Sequence, residues 1–279
     1  MKVAVVGHVE WVQFARVERL PRPGEIVHAS EAWEEVGGGG AVAAVQLARL
    51  AGSCLFITAL GDDELGHRAE AELARLGVRV AAAWRPERQR KAFVYVDANG
   101  ERTITVMGER LGPRGDERLP WDELSDADAV YFTAGDSAAL RAARSARILV
   151  ASVRGREVLA SAGVQLDVLV ASGNDRGERY VPGEIEPVPG LVVSTAGREG
   201  GTLLKPDGTT SRWAAAPLSG RVVDAYGAGD CFAAGLTFGL GDGRSIEDAL
   251  ALGARCGAAC MTGRGPYEGQ LRFAGVPKP

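Results

Sequence analysis

The run DAYGAGD at residues 224–230 passes directly into a long apolar segment and is the most informative part of this chain. The small residues Gly227, Ala228 and Gly229 allow the backbone to approach a bound anion closely. A helix that begins here would add unpaired N–H groups and a positive dipole end. Asp230 would lie beside that anion, where a carboxylate can accept the proton of an attacking hydroxyl. The run therefore predicts a base next to an anion hole, which suits phosphoryl transfer.

A simpler interpretation treats the same run as a glycine-rich turn with Asp230 as the N-cap of the helix. This interpretation explains less. Asp224 before the loop and the nearly wholly apolar helix after it, at residues 231–240, imply a loop that is buried and fixed.

The run resembles the C-terminal signature of the ribokinase-like (phosphofructokinase-B type) carbohydrate kinases, Asp-Thr-x-Gly-Ala-Gly-Asp. Only the Thr differs, and Ala225 stands in its place. The resemblance implies that Asp230 is the catalytic base and that the backbone of Gly227–Gly229 forms the anion hole. It also places Asp224 among the residues that bind ATP.

Two further segments resemble motifs of this family. The glycines at 37–40, followed by the helical pattern 42–50, are similar to the motif that faces the sugar, so Gly38 and Gly39 are candidate substrate ligands. A flexible loop before an amphipathic helix is the alternative. The segment STAGREG at 194–200 resembles the Thr-x-Gly-x-x-Gly stretch along the nucleotide phosphates. That resemblance assigns ATP binding to three of its residues, Thr195, Gly197 and Gly200.

The sugar-binding positions of ribokinase are occupied differently in this chain. After Gly7, where ribokinase has Asn and Asp, the matching residues are Glu10 and Val12. Inside the glycine motif, Val42 replaces an Asn and Gly39 replaces a basic residue. The ribose site of ribokinase is therefore not reproduced.

Glu10 remains a candidate substrate ligand, because a carboxylate at a strand end can accept hydrogen bonds from sugar hydroxyls. Trp11 is a second candidate, as one of the aromatic residues that, with Trp33 and Phe93, would flank the sugar. Packing in the core or in a dimer is the other interpretation of these aromatic residues.

The metal-organising Asn-x-x-Glu motif of the family has its best counterpart in SGND at 172–175. Only Asp175 keeps a carboxylate there, so it is the candidate metal ligand. Asn174 paired with Glu178, and a plain solvated loop, are the alternatives.

Composition is consistent with an enzyme of this kind. The chain has 279 residues, 46% of them hydrophobic, and a formal net charge of −4. These values exclude disordered and fibrous classes, and the lack of excess basic charge argues against nucleic acid as a partner. No apolar run is long enough for a membrane span or a signal peptide core, which predicts a cytoplasmic protein. The four cysteines are too few and too scattered for a disulfide framework and are expected to be buried.

Strand and helix patterns alternate along most of the chain, which predicts an α/β fold with a mostly parallel, helix-covered sheet. Extended patterns at 25–33, 92–97 and 103–107 break the alternation and predict a small β lid. The resemblance implies a ribokinase-like three-layer sandwich. We expect a single domain over residues 1–279, with a lid excursion at about 9–35 and 88–110. By resemblance, the lid also implies a homodimer.

The predicted activity is transfer of the γ-phosphoryl group of ATP, with Mg²⁺, to a hydroxyl of a small sugar or sugar derivative. A monovalent cation as a further cofactor is left open. A Walker-type phosphate loop is absent from the sequence. Two alternatives stay open: a nucleoside kinase of the same superfamily, and a sugar- or nucleotide-binding regulator with weakened catalysis.

Overall fold

The computed structural model describes residues 1–273, so the end of the predicted domain, residues 274–279, lies outside the described part. It contains thirteen strands and six α-helices in two sheets and their covering layers. The strands are β1 (Val3–Val6), β2 (Glu10–Arg16), β3 (Glu31–Gly37), β4 (Cys54–Gly61), β5 (Val78–Arg85), β6 (Lys91–Val96), β7 (Arg102–Met107), β8 (Ala129–Phe132), β9 (Ile148–Ser152), β10 (Val168–Ser172), β11 (Leu191–Thr195), β12 (Gly201–Leu204) and β13 (Thr210–Trp213). The helices are α1 (Gly39–Ala51), α2 (Glu64–Arg75), α3 (Ser137–Ala143), α4 (Arg156–Ala162), α5 (Ala228–Gly241) and α6 (Ile246–Cys260).

The large sheet has nine strands in the order β13-β12-β11-β10-β9-β8-β1-β4-β5. The seven neighbouring strands β11-β10-β9-β8-β1-β4-β5 pair in parallel, and the hairpin of β12 and β13 adds an antiparallel edge. The small sheet, the lid, has the order β3-β2-β6-β7. The predicted α/β sandwich with a mostly parallel sheet and a β lid is confirmed.

Two hydrophobic cores lie on opposite faces of the large sheet, because successive side chains of a strand point to opposite sides. On β1, Val5 belongs to the core under α1, α5 and α6, whereas Val6 belongs to the core under α3 and α4. On β8, Tyr131 and Phe132 are divided in the same way. The parallel strands are buried on both faces, which explains their continuous apolar sequences.

Helices α5 and α6 pack against each other through small residues. A methyl group added at Gly235 would lie 2.7 Å from Sγ of Cys256, and one added at Gly239 would lie 2.8 Å from Cα of Ala249. This close approach fixes α5, which carries Asp230 in its first turn. The four cysteines are free and buried, as predicted.

The structure differs from the predicted elements in four places. The extended segment at 25–33 is instead the strand Glu31–Gly37, which is held in register by pairing along the whole of β2. The strand β2 and the edge strand Val78–Arg85 were not predicted, and neither was α4. Within residues 1–273, no helix is both long and apolar enough to cross a membrane.

Candidate active site

The loop before α5 has the geometry expected of an anion hole. Gly227 caps the helix in the left-handed conformation, with φ of 81°, which favours glycine. Gly229 is exposed, and a methyl group added there would have no atom within 4 Å. Asp230 is the third residue of the helix and is 9% exposed. The interpretation of Asp230 as the N-cap is therefore wrong, and its carboxylate lies beside first-turn N–H groups that have no partner within the helix.

The two glycine motifs, far apart in sequence, meet at this loop. Helix α1 begins at Gly39, and a methyl group added at this glycine would lie 2.8 Å from Oδ1 of Asp230. The neighbouring Gly38 has φ of 88°, and its N–H donates a hydrogen bond to the hydroxyl of Tyr226. Two helix N-termini thus face one carboxylate, an arrangement that attracts anions.

Arg154, which follows β9, binds the carboxylate of Asp230 directly. Its Nη1 lies 2.8 Å from Oδ1 of Asp230, and its Nε lies 2.5 Å from Oε1 of Glu178. The negative charge of Asp230 has the largest effect on the pKa of Arg154 and raises it, so the guanidinium stays charged. Within residues 1–273, Oδ2 of Asp230 has no hydrogen bond from another side chain, and this oxygen is available to a substrate hydroxyl.

Glu10 lies at the start of the lid strand β2 and is buried beside the same site. Burial raises the pKa of its carboxyl, and the nearby charge of Arg90 opposes that shift. Nε of Arg90 is 3.0 Å from Oε1 of Glu10. The pKa of the adjacent His8 is well below its usual value, mainly because of burial. The charges of three arginines lower it further, so this imidazole is neutral.

The residues assigned to ATP lie at the ends of β10 and β11. Thr195 ends β11, and its carbonyl accepts a hydrogen bond from Gly173 after β10. Gly197 and Gly200 both have positive φ, and a methyl group at Gly197 would lie 3.5 Å from the amide nitrogen of Asn174. The two loops therefore contact each other and form one surface. The guanidinium of Arg179 also reaches it, because its Nε donates a hydrogen bond to the carbonyl of Gly173.

Asp224 lies below this surface and has a structural position. It is fully buried, and its two oxygens accept hydrogen bonds from the N–H groups of Tyr226 and Gly265. Its carboxylate thus ties the loop before α5 to the backbone at Gly265, and its assignment to ATP binding stays a prediction.

Two predicted site residues are placed away from the site chemistry. Trp11 is only 2% exposed, and its indole N–H donates to Glu34, so it packs in the core of the lid, and its role as a substrate ligand stays a prediction. Asp175 is exposed, and its Oδ1 accepts the N–H of Gly177 at the start of a short 3₁₀ turn. The carboxylate of this loop that is linked to Asp230 is Glu178, because both pair with Arg154.

A cleft of about 540 Å³ adjoins this constellation. It lies at the carboxyl ends of β5, β8, β9 and β10, the edge at which open α/β sheets bind ligands. Arg154 belongs both to its wall and to the ion pair with Asp230.

The family model described as pfkB family carbohydrate kinase matches residues 1–150 and 156–271. This chain belongs to the pfkB family of carbohydrate kinases. The resemblance predicted from the glycine motifs is confirmed, and so is the prediction of a carbohydrate kinase. As a member of this family, it belongs to the enzymes of ATP-dependent sugar phosphotransfer.

Relatives of this pfkB family kinase match it along most of its length. An ATP-dependent ribose-1-phosphate kinase of Halopiger xanaduensis is 30% identical, over 92% of this chain and 91% of the relative. A fructokinase of Salmonella typhimurium is 28% identical, over 84% of this chain and 90% of the relative. The structure of Arabidopsis thaliana ribokinase complexed with ribose and ATP superposes with a TM-score of 0.74 at 21% identity, covering 97% of this chain and 96% of that one. The last similarity establishes the ribokinase-like fold.

Several residues of the kinase site have no motif and were missed by the sequence analysis, above all Arg154 and Arg90. Arg154 follows the carboxyl end of a parallel strand, where open α/β sheets bind ligands, and this position is a signal that could have identified it; Arg90, before β6 of the lid, has no such signal. Charge alone could not have identified either, because the chain contains 32 Lys and Arg residues.

Proposed function

We propose that this kinase transfers the γ-phosphoryl group of ATP to a hydroxyl of a small sugar or sugar derivative, with Asp230 as the base. One observation carries the proposal. Asp230 is a buried carboxylate with one oxygen fixed by Arg154 and the other unbound, directly under the open first turn of α5. The sugar kinases among its relatives support a sugar as the acceptor.

In the proposed reaction, Oδ2 of Asp230 accepts the proton of the acceptor hydroxyl as that oxygen attacks the γ-phosphorus. The N–H groups of Gly229 and Asp230 stabilise the charge on the transferring group. Arg154 keeps the carboxylate in one orientation and, being positive, also attracts the phosphoryl oxygens. The exposed backbone at Gly229 leaves room for that group to pass.

Among the described residues, no group of three or more His, Cys, Asp or Glu side chains could hold a metal ion by itself. Mg²⁺ usually keeps several waters and binds through substrate phosphates and one or two carboxylates, which this site can accommodate. When bound with ATP, Mg²⁺ would neutralise phosphate charge, and Glu178, which shares Arg154 with Asp230, is a carboxylate that could hold it. A monovalent cation stays a prediction from the resemblance.

We also propose that the lid is an excursion of a single domain and forms a homodimer interface. Strands β2 and β3 lie between β1 and α1, and β6 and β7 lie between β5 and β8, so the lid has no segment of its own at either chain end. The edge strand β7 is exposed along its whole length and carries the apolar residues Ile104 and Val106. Exposed apolar edges of this kind are typical of association sites.

The proposed function is tested by ADP release from ATP and Mg²⁺ over neutral sugars, sugar phosphates, sugar acids and nucleosides. We expect Asp230→Asn to lower acceptor-dependent turnover by about 10²- to 10⁴-fold while the fold and nucleotide binding persist. The matched control is Asp242→Asn at the exposed end of the same helix. Comparable turnover by folded Asp230→Asn would contradict the mechanism. If no acceptor in the panel supports ADP release although sugar or nucleotide still binds, a binding regulator would be favoured.

A further inference from the structure

The cleft beside Asp230 is rich in guanidinium groups. It is formed by the loops that follow β5, β7, β8 and β9, together with one residue after β10. Five arginines line it: Arg85, Arg110, Arg114, Arg154 and Arg156. Guanidinium groups this close together repel one another, as Arg90 and Arg154 do with the exposed Arg110, and a bound anion relieves that repulsion.

Protein carboxylates satisfy three of the five arginines. Arg85 and Arg156 each pair with a glutamate of a neighbouring loop, and Arg154 pairs with two carboxylates. Arg110 and Arg114 have no carboxylate within ion-pair distance in residues 1–273. Of these two, Arg110 is next to the chemistry, because its Nη1 donates a hydrogen bond to the carbonyl of Arg154, 3.2 Å away.

Three arginines lie near His8, which is next to Thr133 of the cleft wall. Arg90, Arg110 and Arg154 all lie close enough to His8 to lower its pKa, in addition to the effect of burial. The acidic side chains nearest to them are already paired with Arg90 or Arg154. Three other glutamates of the cleft are exposed at its rim: Glu87, Glu109 and Glu157.

We propose that the acceptor carries an anionic group, a phosphate or a carboxylate, which Arg110 binds in this cleft while the reacting hydroxyl faces Asp230. The proposal rests on the proposed phosphotransfer. A guanidinium binds phosphate and carboxylate through paired, charge-assisted hydrogen bonds, whereas a neutral sugar would leave Arg110 without a counter-charge. Because Arg110 contacts the backbone of Arg154, whose side chain holds Asp230, the two ends of one small substrate can reach both.

The experiment compares each neutral sugar with its phosphate and with its acid, in wild type and Arg110→Gln. We expect kcat/KM for at least one anionic acceptor to exceed that for the neutral parent sugar by about 100-fold. Arg110→Gln should lower kcat/KM for the anionic acceptor by about 10- to 100-fold, mainly through KM, and leave the neutral sugar nearly unchanged. Arg141→Gln, an exposed arginine on α3 outside the cleft, is the charge-matched control. The sugar phosphate and sugar acid arms distinguish the two sources of charge.

Several results would overturn this inference and leave the Asp230 mechanism standing. The first is equal kcat/KM for neutral and anionic sugars, and the second is an unchanged KM for the anionic acceptor in Arg110→Gln. The third is a KM for ATP that rises in Arg110→Gln equally with every acceptor, which would make Arg110 a nucleotide ligand. If no acceptor supports turnover, the proposed function fails instead. Calorimetry with inorganic phosphate then decides on the cleft: binding lost in Arg110→Gln supports the anion site, and no binding to wild type overturns it.

Discussion

The N–H of Gly38 donates a hydrogen bond to the hydroxyl of Tyr226 across 3.0 Å, although 188 residues separate the two in sequence. This bond joins the loop before α1 to the loop before α5. Both residues are buried, and burial raises the pKa of Tyr226 so that its hydroxyl stays protonated. The side chain of Tyr226 therefore helps to set the distance between the loop before α1 and the loop before α5.

Tyr226→Phe removes this link and leaves the N–H of Gly38 without its partner. We expect a loss of about 1–3 kcal/mol in the free energy of unfolding and a lower kcat, because the two loops no longer keep a fixed separation. Urea unfolding and ADP release measure the two effects. Tyr95→Phe, in the lid, is the matched control. Unchanged stability and kcat in Tyr226→Phe would show that packing alone aligns the loops.

Gly39 and Gly229 should respond to alanine in different ways. A methyl group at Gly39 would lie 2.8 Å from Oδ1 of Asp230 and 3.1 Å from Nη1 of Arg154, both of them ends of side chains, so Gly39→Ala should displace this ion pair and lower kcat at a stability cost of up to about 1 kcal/mol. At Gly229 the space is open, and alanine is the better helix former, so stability should hold or rise by up to about 1 kcal/mol.

The methyl group of Gly229→Ala would nevertheless enter the space above α5, and we expect a lower kcat in a fully folded protein. Thermal unfolding and steady-state kinetics on both variants test the contrast. Normal activity in Gly229→Ala would argue against passage of the phosphoryl group over this residue.

Glu178 and Asp175 lie in the same loop but have different partners, so substitutions of the two should have different effects. Glu178→Gln weakens the ion pair that orients Arg154, and we expect kcat to fall by about 10-fold. Asp175→Asn, at an exposed turn, should leave both kcat and the Mg²⁺ concentration for half-maximal rate nearly unchanged. Titration of Mg²⁺ at saturating ATP provides the measurement. A raised Mg²⁺ requirement in Asp175→Asn alone would restore the assignment made from the sequence.

Glu35 on β3 makes stability depend on pH. Burial, opposed by a hydrogen bond from Trp33, raises the pKa of its carboxyl from the usual 4.5 to about 7. The folded protein therefore keeps a proton that the unfolded chain releases, so stability is greatest below about pH 4.5 for this group and falls as pH rises through 7.

Glu35→Gln should flatten the dependence between these values and stabilise the protein at pH 8 by on the order of 2 kcal/mol. Urea unfolding at a series of pH values measures it, with the exposed Glu18→Gln as control. A slope identical to that of wild type would contradict the role of Glu35.

The lid interface predicts a change in oligomeric state. Val106→Asp places a charge on the exposed face of β7, next to Ile104, and we expect a monomer where wild type is a dimer. Sedimentation velocity measures the change. Val181→Asp, a comparably exposed valine outside the lid, is the matched control. If the wild-type protein is a monomer at micromolar concentration, the proposed homodimer is contradicted.

Much of the fold could be predicted from the sequence, because buried parallel strands are apolar throughout and their helices begin at recognisable glycines. The edge strand Val78–Arg85 was missed because three alanines, which are poor strand formers, occupy its centre and only two residues separate it from α2. In the lid, the strand at Glu31–Gly37 depends on its pairing with β2, a contact between segments that no local pattern contains.

The candidate site divides in the same way. Asp230 and the glycines around it belong to contiguous motifs, so their spacing could be interpreted directly. Arg154 reaches Asp230 from 76 residues away and only because β9 ends beside α5, so tertiary structure creates this contact. Trp11 shows the converse, since an aromatic residue near a predicted site proved to be part of the lid core.

The reactive groups and the cleft come from different parts of the chain. Asp230 and Gly229 belong to α5, which is locked against α6, whereas loops after β5, β7, β8 and β9 supply almost all of the cleft wall. Exchanging the loops after β5, β7 and β8 would alter which molecules are accepted and leave the proposed base Asp230 in place, provided that the loop after β9 keeps Arg154. Selectivity in this scaffold can thus diversify, by natural divergence or in the laboratory, while the phosphoryl-transfer apparatus is inherited intact.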